Sequence, residues 1–264
     1  MTGRVRALPA VLGFLLALAV LSGTAFWAQQ RVLDPARTRS ADATAEPLVA
    51  AVPEVAAPEE APGRAATGSR GGVRAGSGVP AVDPTWAATT ADRSGIPAPA
   101  VAAYGRATLM APDGCSVGWT TLAGIGWVES QHGTIDGRAL GEDGHSSSPV
   151  LGPALDGRGK VAAIPATPSS SRWHGDPDWD HAVGPLQFIP STWRRWSADG
   201  DGDGTEDPND LDDAALAAVR YLCADGHDLT TGEGWSAAIF SYNHAQEYVA
   251  AVHAAATAYA ERTG

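Results

Sequence analysis

Positive charge and cysteine are both scarce in this 264-residue chain. Its 18 lysines and arginines are outnumbered by 30 aspartates and glutamates, which gives a formal net charge of −12. Because a phosphate backbone is bound by basic surfaces, this balance excludes nucleic acid as a partner. It also argues against adsorption of the chain to anionic lipid headgroups.

The chain has only two cysteines, Cys115 and Cys223. Neither follows the N-terminal apolar run directly, which excludes a lipoprotein anchor. The histidines show no zinc-like spacing with the cysteines, which argues against a zinc peptidase, and no organic cofactor is expected. These histidines are His132, His145, His174, His181, His227, His244 and His253.

An uncharged apolar run at residues 7–28 follows the positive flank Arg4 and Arg6. Its length suits a helix that spans a bilayer and exceeds that of most signal-peptide cores. We therefore expect residues 1–28 to form an uncleaved membrane anchor. The small residues at 23–25 could be a cleavage site, so a cleaved signal peptide is the alternative. Either alternative exports the rest of the chain to the cell envelope.

Residues 29–84 are rich in Ala, Pro and Gly and have few aromatic side chains. Such a composition buries too little apolar surface to offset chain entropy, which predicts a disordered linker. One folded domain is expected over residues 85–264, because about 180 residues suffice for a single core.

Sustained strand-like alternation is absent from this region, so a mainly α-helical domain is expected. In residues 211–224, apolar residues recur with the helical period and form one apolar stripe. Residues 136–182, called the excursion here, are full of Gly, Pro, Ser and Asp and predict a long irregular segment of the kind that is often functional. The predicted helices are 99–110, 119–131, 191–197, 211–224, 235–242 and 246–260.

An even number of cysteines in an exported chain favours a disulfide between Cys115 and Cys223. Two buried free thiols are the alternative, which a cytosolic location would favour. The bond would join the start of the 119–131 helix to a helix about 100 residues later, and in a chain-entropy model it contributes roughly 4–5 kcal/mol.

Glu129 shares a helical face with Leu122, Ile125 and Gly126, so a carboxylate is predicted on a buried face. Burial raises the pKa of a carboxyl group, and a neutral Glu is what a general acid needs near neutral pH. A Glu that reaches solvent at the helix end is the alternative. The glycines in this helix predict a close approach of another backbone, and Gly133 is expected to cap its C-terminus.

Three segments occur in the order typical of one enzyme family. Residues 124–133 read Gly-Ile-Gly-Trp-Val-Glu-Ser-Gln-His-Gly, residues 182–193 contain Gly-Pro-Leu-Gln-Phe-Ile-Pro-Ser, and residues 240–249 begin Phe-Ser-Tyr-Asn. Together they resemble the catalytic helix, the Gln-Phe-x-Pro-Ser element and the late Tyr-Asn element of lytic murein transglycosylases. The resemblance is to the membrane-bound B family and its actinobacterial relatives, and it covers roughly residues 90–260.

The resemblance implies a lysozyme-like fold, peptidoglycan glycan strands as substrate and a monomeric enzyme with Glu129 as catalytic acid and base. Ser130 is expected to hydrogen-bond Glu129, and Phe188 is expected to pack in the core beside the sugar site. Residues that the resemblance places in contact with substrate are Ser130, Gln187, Phe188, Tyr242 and Asn243.

Most glycosidases use two carboxylates. The resemblance implies that the substrate's 2-acetamido group replaces the second one, and that the muramic acid 6-hydroxyl attacks C1 to give a 1,6-anhydro product. A hydrolytic muramidase and a catalytically silent peptidoglycan-binding module are the alternatives. Acidic residues of the excursion that have no distinctive context are Glu142, Asp143, Asp156, Asp176, Asp178 and Asp180.

Residues 199–210, called the acidic loop here, fit the EF-hand-like spacing of a structural Ca²⁺ site. Gly204 stands where the sharp turn needs glycine. The spacing puts Asp210 at the last ligand position, whereas the resemblance favours Asp213. The alternative is a solvated acidic turn. The expected ligands are Asp199, Asp201, Asp203, Thr205 and Asp207, with Asp210 or Asp213.

Overall fold

The computed structural model describes residues 78–159 and 161–264. The mainly α-helical prediction is confirmed for this part of the chain, where extended backbone pairs only as isolated bridges. The α-helices are α1 (Pro84–Ser94), α2 (Ala98–Leu109), α3 (Trp119–Ser130), α4 (Ser171–His174), α5 (Pro190–Trp196), α6 (Leu211–Ala224), α7 (Gly232–Tyr242) and α8 (Gln246–Thr263).

All six predicted helices form, each with ends within three residues of the prediction. Helix α1 and the single turn α4 are not among the predicted helices. Helix α1 begins at Pro84, and the Asp83 carboxylate caps it by accepting hydrogen bonds from the N–H groups of Thr85 (2.7 Å) and Trp86 (3.2 Å). Its residues are mostly small or polar, so they give only a weak apolar stripe.

Helix α3 is buried on nearly every side and packs along α8. Gly124 allows this contact, because a Cβ atom at this position would lie 2.7 Å from the carbonyl oxygen of Val252. On another side, a Cβ atom at Gly126 would overlap the hydroxyl of Tyr104 on α2. The predicted close backbone approach is therefore confirmed at Gly124.

Helix α6 buries the predicted apolar stripe and packs against α2, α5 and α7. The disulfide between Cys115 and Cys223 is present, with an S–S distance of 2.01 Å. It joins the loop before α3 to the last turn of α6. The covalent link thereby fixes the helix that carries Glu129 to the helix that follows the acidic loop.

The prediction that Gly133 caps α3 is wrong. Gln131 is the residue that leaves the helix in the left-handed conformation (φ 54°), and its N–H donates to the carbonyl of Trp127. The N–H of His132 then donates to the carbonyl of Gly126 (2.8 Å), which satisfies another carbonyl group of the last helical turns. The left-handed backbone continues through His132 (φ 61°), so the helix has already ended before Gly133 is reached.

The predicted anchor at residues 1–28 lies outside the described residues, as does most of the predicted linker at 29–84. Among the residues that are described, no helix has both the length and the apolar character needed to cross a bilayer. The excursion is irregular as expected, with one short turn at Ile135–Gly137, the helix α4 and isolated bridges.

Candidate active site

Glu129 lies in the last turn of α3, half-buried, and opens into a cavity of about 220 Å³. The excursion, α5, α6 and the end of α7 supply the other walls. Among the described residues, Glu129 is the single carboxylate that lines this cavity. The lining residues are Glu129, Leu155, Ala182, Gln187, Phe188, Ile189, Thr192, Tyr221, Tyr242 and Asn243.

Burial raises the pKa of Glu129 to about 7, and a hydrogen bond from Tyr248 opposes part of this rise. No arginine or lysine of the described part pairs with this carboxyl group. The carboxyl is therefore largely protonated in mildly acidic solution and both gains and loses a proton near neutral pH. A general acid that later serves as a base has this property.

Tyr248 is a residue of the site that the sequence analysis missed. Its hydroxyl donates to Oε1 of Glu129 at 2.6 Å. Burial raises the pKa of Tyr248 well above its ordinary value, so the hydroxyl keeps its proton. The signal was the spacing of Tyr248, Val252 and Tyr259, which puts these residues on the face of α8 that meets α3.

An aromatic wall stands beside the carboxyl group. Tyr242 stacks parallel to Tyr248 with ring centroids 6.4 Å apart, and it meets Phe188 and Tyr221 edge to face. The Tyr242 hydroxyl donates to the carbonyl of Leu186 (2.9 Å), which ties the end of α7 to the Gln-Phe segment. Phe188 is only 3% exposed, so it serves the core as well as the cavity.

The structure brings Gln187 and Asn243 to the cavity with Glu129, as the resemblance implies. Gln187 adopts a left-handed backbone (φ 52°), which is strained for a residue with a side chain. Its Nε2 donates to the carbonyls of Gly184 (2.8 Å) and Val150 (3.3 Å), so the side chain ties the excursion to the cavity wall. Asn243 is exposed at the rim.

Ser130 does not make the expected hydrogen bond to Glu129. Its hydroxyl is fully buried, donates to the carbonyl of Pro185 (2.6 Å) and accepts from the N–H of Gly133 (2.7 Å). The reason is the direction of the helix, because neighbouring residues on α3 point about 100° apart. Ser130 therefore joins the end of α3 to the segment that carries Gln187.

The acidic residues of the excursion do not line the Glu129 cavity, and several have other partners. Asp180 is buried and accepts from the Ser170 hydroxyl (2.5 Å). Asp176 lies 3.1 Å from Nε2 of His181. Their side chains hold the excursion together.

The acidic loop and the first turn of α6 bring three carboxylates together. Oxygens of Asp199, Asp201 and Asp213 lie within 4.8 Å of one another. Backbone N–H groups orient two of them, since Asp199 accepts from Gly202 (2.7 Å) and Asp213 accepts from Gly200 (2.6 Å). Oxygen ligands of this kind suit Ca²⁺.

Asp210 is not part of this group. Its Oδ1 accepts from the N–H of Asp212 (2.8 Å) and caps α6, and its Oδ2 lies 3.8 Å from Nδ1 of His145. Asp203 and Asp207 also lie outside the group, and their carboxylates accept from the N–H groups of Thr205 and Asn209.

Residues 173–239 match the family model described as Transglycosylase SLT domain. No curated protein and no solved structure matches the chain. The match includes Gln187 and the acidic loop, whereas Glu129 precedes it and Tyr242 follows it. It does not single out the membrane-bound B family or an actinobacterial origin. Residues 173–239 are therefore similar to the SLT transglycosylase domain, a lysozyme-like domain type associated with peptidoglycan.

Proposed function

We propose that this protein is a peptidoglycan lytic transglycosylase that cleaves the β-1,4 bond between MurNAc and GlcNAc and leaves 1,6-anhydroMurNAc ends. The observation that carries the proposal is a lone carboxyl group, Glu129, whose pKa is raised to about 7 in an aromatic cavity. The SLT domain match supports the substrate class. We further propose that the enzyme belongs with the membrane-bound B family.

Glu129 acts first as the acid. Its carboxyl proton passes to the glycosidic oxygen, and the bond from C1 of MurNAc to that oxygen breaks. The substrate's own 2-acetamido group stabilises the positive charge that develops at C1. Tyr248 holds the carboxyl group during this step, and its hydrogen bond strengthens as negative charge appears on Oε1.

Glu129 then acts as the base. The carboxylate removes the proton of the MurNAc 6-hydroxyl, whose oxygen forms a bond to C1 and closes the anhydro ring. Glu129 ends the cycle protonated, and no water is consumed.

Product masses test the reaction. Purified peptidoglycan is digested with the full-length protein and the fragments are analysed by mass spectrometry. Anhydro products weigh one water less than the corresponding reducing-end products. Reducing ends alone would replace the proposal with a hydrolytic muramidase, and an absence of fragments would replace it with a silent binding module.

We also propose that the acidic loop binds a structural Ca²⁺. Asp199, Asp201 and Asp213 would hold it, and Asp213 is preferred to Asp210 because Asp210 already caps α6. The ion would offset the repulsion among these carboxylates and brace α6 against the loop. It takes no part in the proton transfers.

The site of action is proposed to be the cell envelope, with the protein working as a monomer tethered by residues 1–28 or released after cleavage. The Cys115–Cys223 disulfide supports export, because such bonds persist mainly in oxidising compartments.

A further inference from the structure

A second cavity, of about 690 Å³, lies beside the disulfide and takes no part in the proposed reaction. Arg195 and Trp196 of α5 and Arg220 of α6 line it, and so do both cysteines. We call it the arginine cavity. Its volume is typical of ligand sites, whereas the Glu129 cavity, at about 220 Å³, is smaller than most of them.

Helices α5 and α6 each contribute residues to both cavities. On α5, Thr192 lines the Glu129 cavity and Trp196 lines the arginine cavity, about one helical turn further along. On α6, Tyr221 lines the Glu129 cavity and its neighbour Arg220 lines the arginine cavity. The rings of Trp196 and Tyr221 meet edge to face at 5.9 Å. Because Tyr221 lines one cavity and Trp196 lines the other, the two cavities are adjacent and these two rings lie between them.

The positive groups of this cavity are available to a ligand. Arg195 is exposed, and its guanidinium lies 5.0 Å from the centre of the Trp196 ring. Arg220 donates one hydrogen bond, from Nη1 to the carbonyl of Ser197. Neither arginine forms an ion pair with a carboxylate in the described part of the chain, so each keeps donors that fit a carboxylate.

Negative charge lies on the loop side of the cavity. Asp113 and Asp228 come from the loops around the two cysteines, whereas the arginines come from helices. The Asp228 Oδ1 accepts from both the N–H and the hydroxyl of Thr230, which fixes that carboxylate on its own loop. The arginines on the helix side and the carboxylates on the loop side separate the two signs of charge, so a carboxylate ligand is expected on the arginine side of the cavity.

We propose that the arginine cavity binds a carboxylate of the peptide stem on a glycan strand held at Glu129. This inference rests on the proposed function and extends it. The arginines supply charge-assisted hydrogen bonds to the stem, and the Trp196 ring holds Arg195 in position. The site thereby distinguishes strands that carry stems from strands that have lost them.

Calorimetric titration of the full-length protein tests this inference. Glu129→Gln is present in every sample, so that the strands stay intact. The ligands are soluble glycan strands with their peptide stems and the same strands after the stems have been removed by an amidase. Arg195→Ala combined with Arg220→Ala is expected to weaken binding of stem-bearing strands about tenfold and to leave binding of stripped strands unchanged.

Arg194→Ala is the matched control, since Arg194 is an exposed neighbour on α5 that does not line the cavity. It is expected to change neither affinity. Arg195→Ala alone should weaken binding of stem-bearing strands about threefold, which keeps the test valid if loss of the Arg220 hydrogen bond lowers the melting temperature. Equal losses for both ligands, or no loss for either, would overturn the inference alone. If the Glu129→Gln protein that keeps both arginines binds neither kind of strand, the proposed function is overturned as well.

Discussion

The end of α3 and the acidic loop both hold carboxyl groups whose pKa is raised to about 7, for different reasons. At Glu129 burial raises the pKa, and the only opposing influence is the hydrogen bond from Tyr248. At Asp213 burial again raises the pKa and backbone N–H groups lower it, but the nearby charges of Asp210 and Asp201 raise it further. One region isolates a carboxyl group, and the other crowds several together.

This difference separates two uses of a carboxyl group. The cost of ionising Glu129 comes from its dry surroundings, so it is suited to holding and passing a proton. The cost at Asp213 comes partly from like charges, and a cation removes that part. The backbone N–H groups already turn the Asp199 and Asp213 oxygens towards a common point. The raised pKa therefore has a different cause in each region, which agrees with the proton-transfer role proposed for Glu129 and with the calcium site proposed at Asp213.

The largest expected effect tests the catalytic role proposed for Glu129. Glu129→Gln should lower the rate of fragment release at least about 10³-fold, because one group supplies both proton transfers. The amide is similar in size to the carboxyl, and its oxygen still accepts from Tyr248, so the fold should persist. Release of soluble fragments from purified peptidoglycan measures the rate, and thermal melting checks the fold.

Glu142→Gln is the matched control, because Glu142 is an exposed glutamate of the excursion that does not line the cavity. Its activity should equal that of the unchanged protein. Measurable turnover by the Glu129→Gln protein would contradict the assignment of Glu129. Both variants should keep the response to calcium, since neither alters the acidic loop.

A smaller effect is expected on the metal side. At 10 mM Ca²⁺, a site with a dissociation constant of about 10⁻⁴–10⁻³ M stabilises the fold by about 1.4–2.7 kcal/mol. Asp213→Asn should abolish the rise in melting temperature that calcium causes relative to a chelator, because a ligand oxygen is lost. The measurement is the melting temperature in calcium minus that in chelator for the same variant. Any effect of the substitution on the calcium-free protein cancels in this difference.

Asp210→Asn is the paired variant that sharpens the choice of ligand. Asparagine is also a good helix cap, so α6 should keep its N-terminus. The calcium response should persist in this variant if Asp213 is the ligand. A lost response in Asp210→Asn with a preserved one in Asp213→Asn would reverse the assignment, and no response in the unchanged protein would remove the calcium proposal.

The sequence predicts the helices and the disulfide well, because an apolar stripe such as that of α6 and a cysteine pair are local or countable signals. It also predicts a buried face for Glu129. The left-handed turn at Gln131 was missed, because glycine at 133 is the stronger local signal and only tertiary contacts favour the earlier turn. These contacts include the hydrogen bonds between the ring nitrogens of buried His132 and the hydroxyls of Tyr104 (3.0 Å) and Tyr259 (2.9 Å).

The site was predicted less completely than the fold. Motif resemblance places Gln187 and Tyr242 near Glu129, but it does not say which atoms meet. The hydroxyl of Ser130 turned towards Pro185, and Tyr248, which lies 119 residues from Glu129, took the hydrogen-bonding role. Long-range partners of this kind depend on the relative orientation of α3 and α8. The spacing of residues within one helix does not predict that orientation.

The smallest expected effect concerns Tyr248, whose hydrogen bond favours the ionised form of Glu129 and so lowers its pKa. Tyr248→Phe removes that bond and should raise the pKa from about 7 by about one pH unit. The first step needs protonated Glu129, so activity falls as pH rises through this pKa. The descending limb of kcat/KM against pH should therefore move to higher pH.

Tyr259→Phe is the matched control, because Tyr259 lies on the same face of α8 but hydrogen-bonds His132. A limb that moves equally in both variants, or in neither, would show that Tyr248 does not tune the acid.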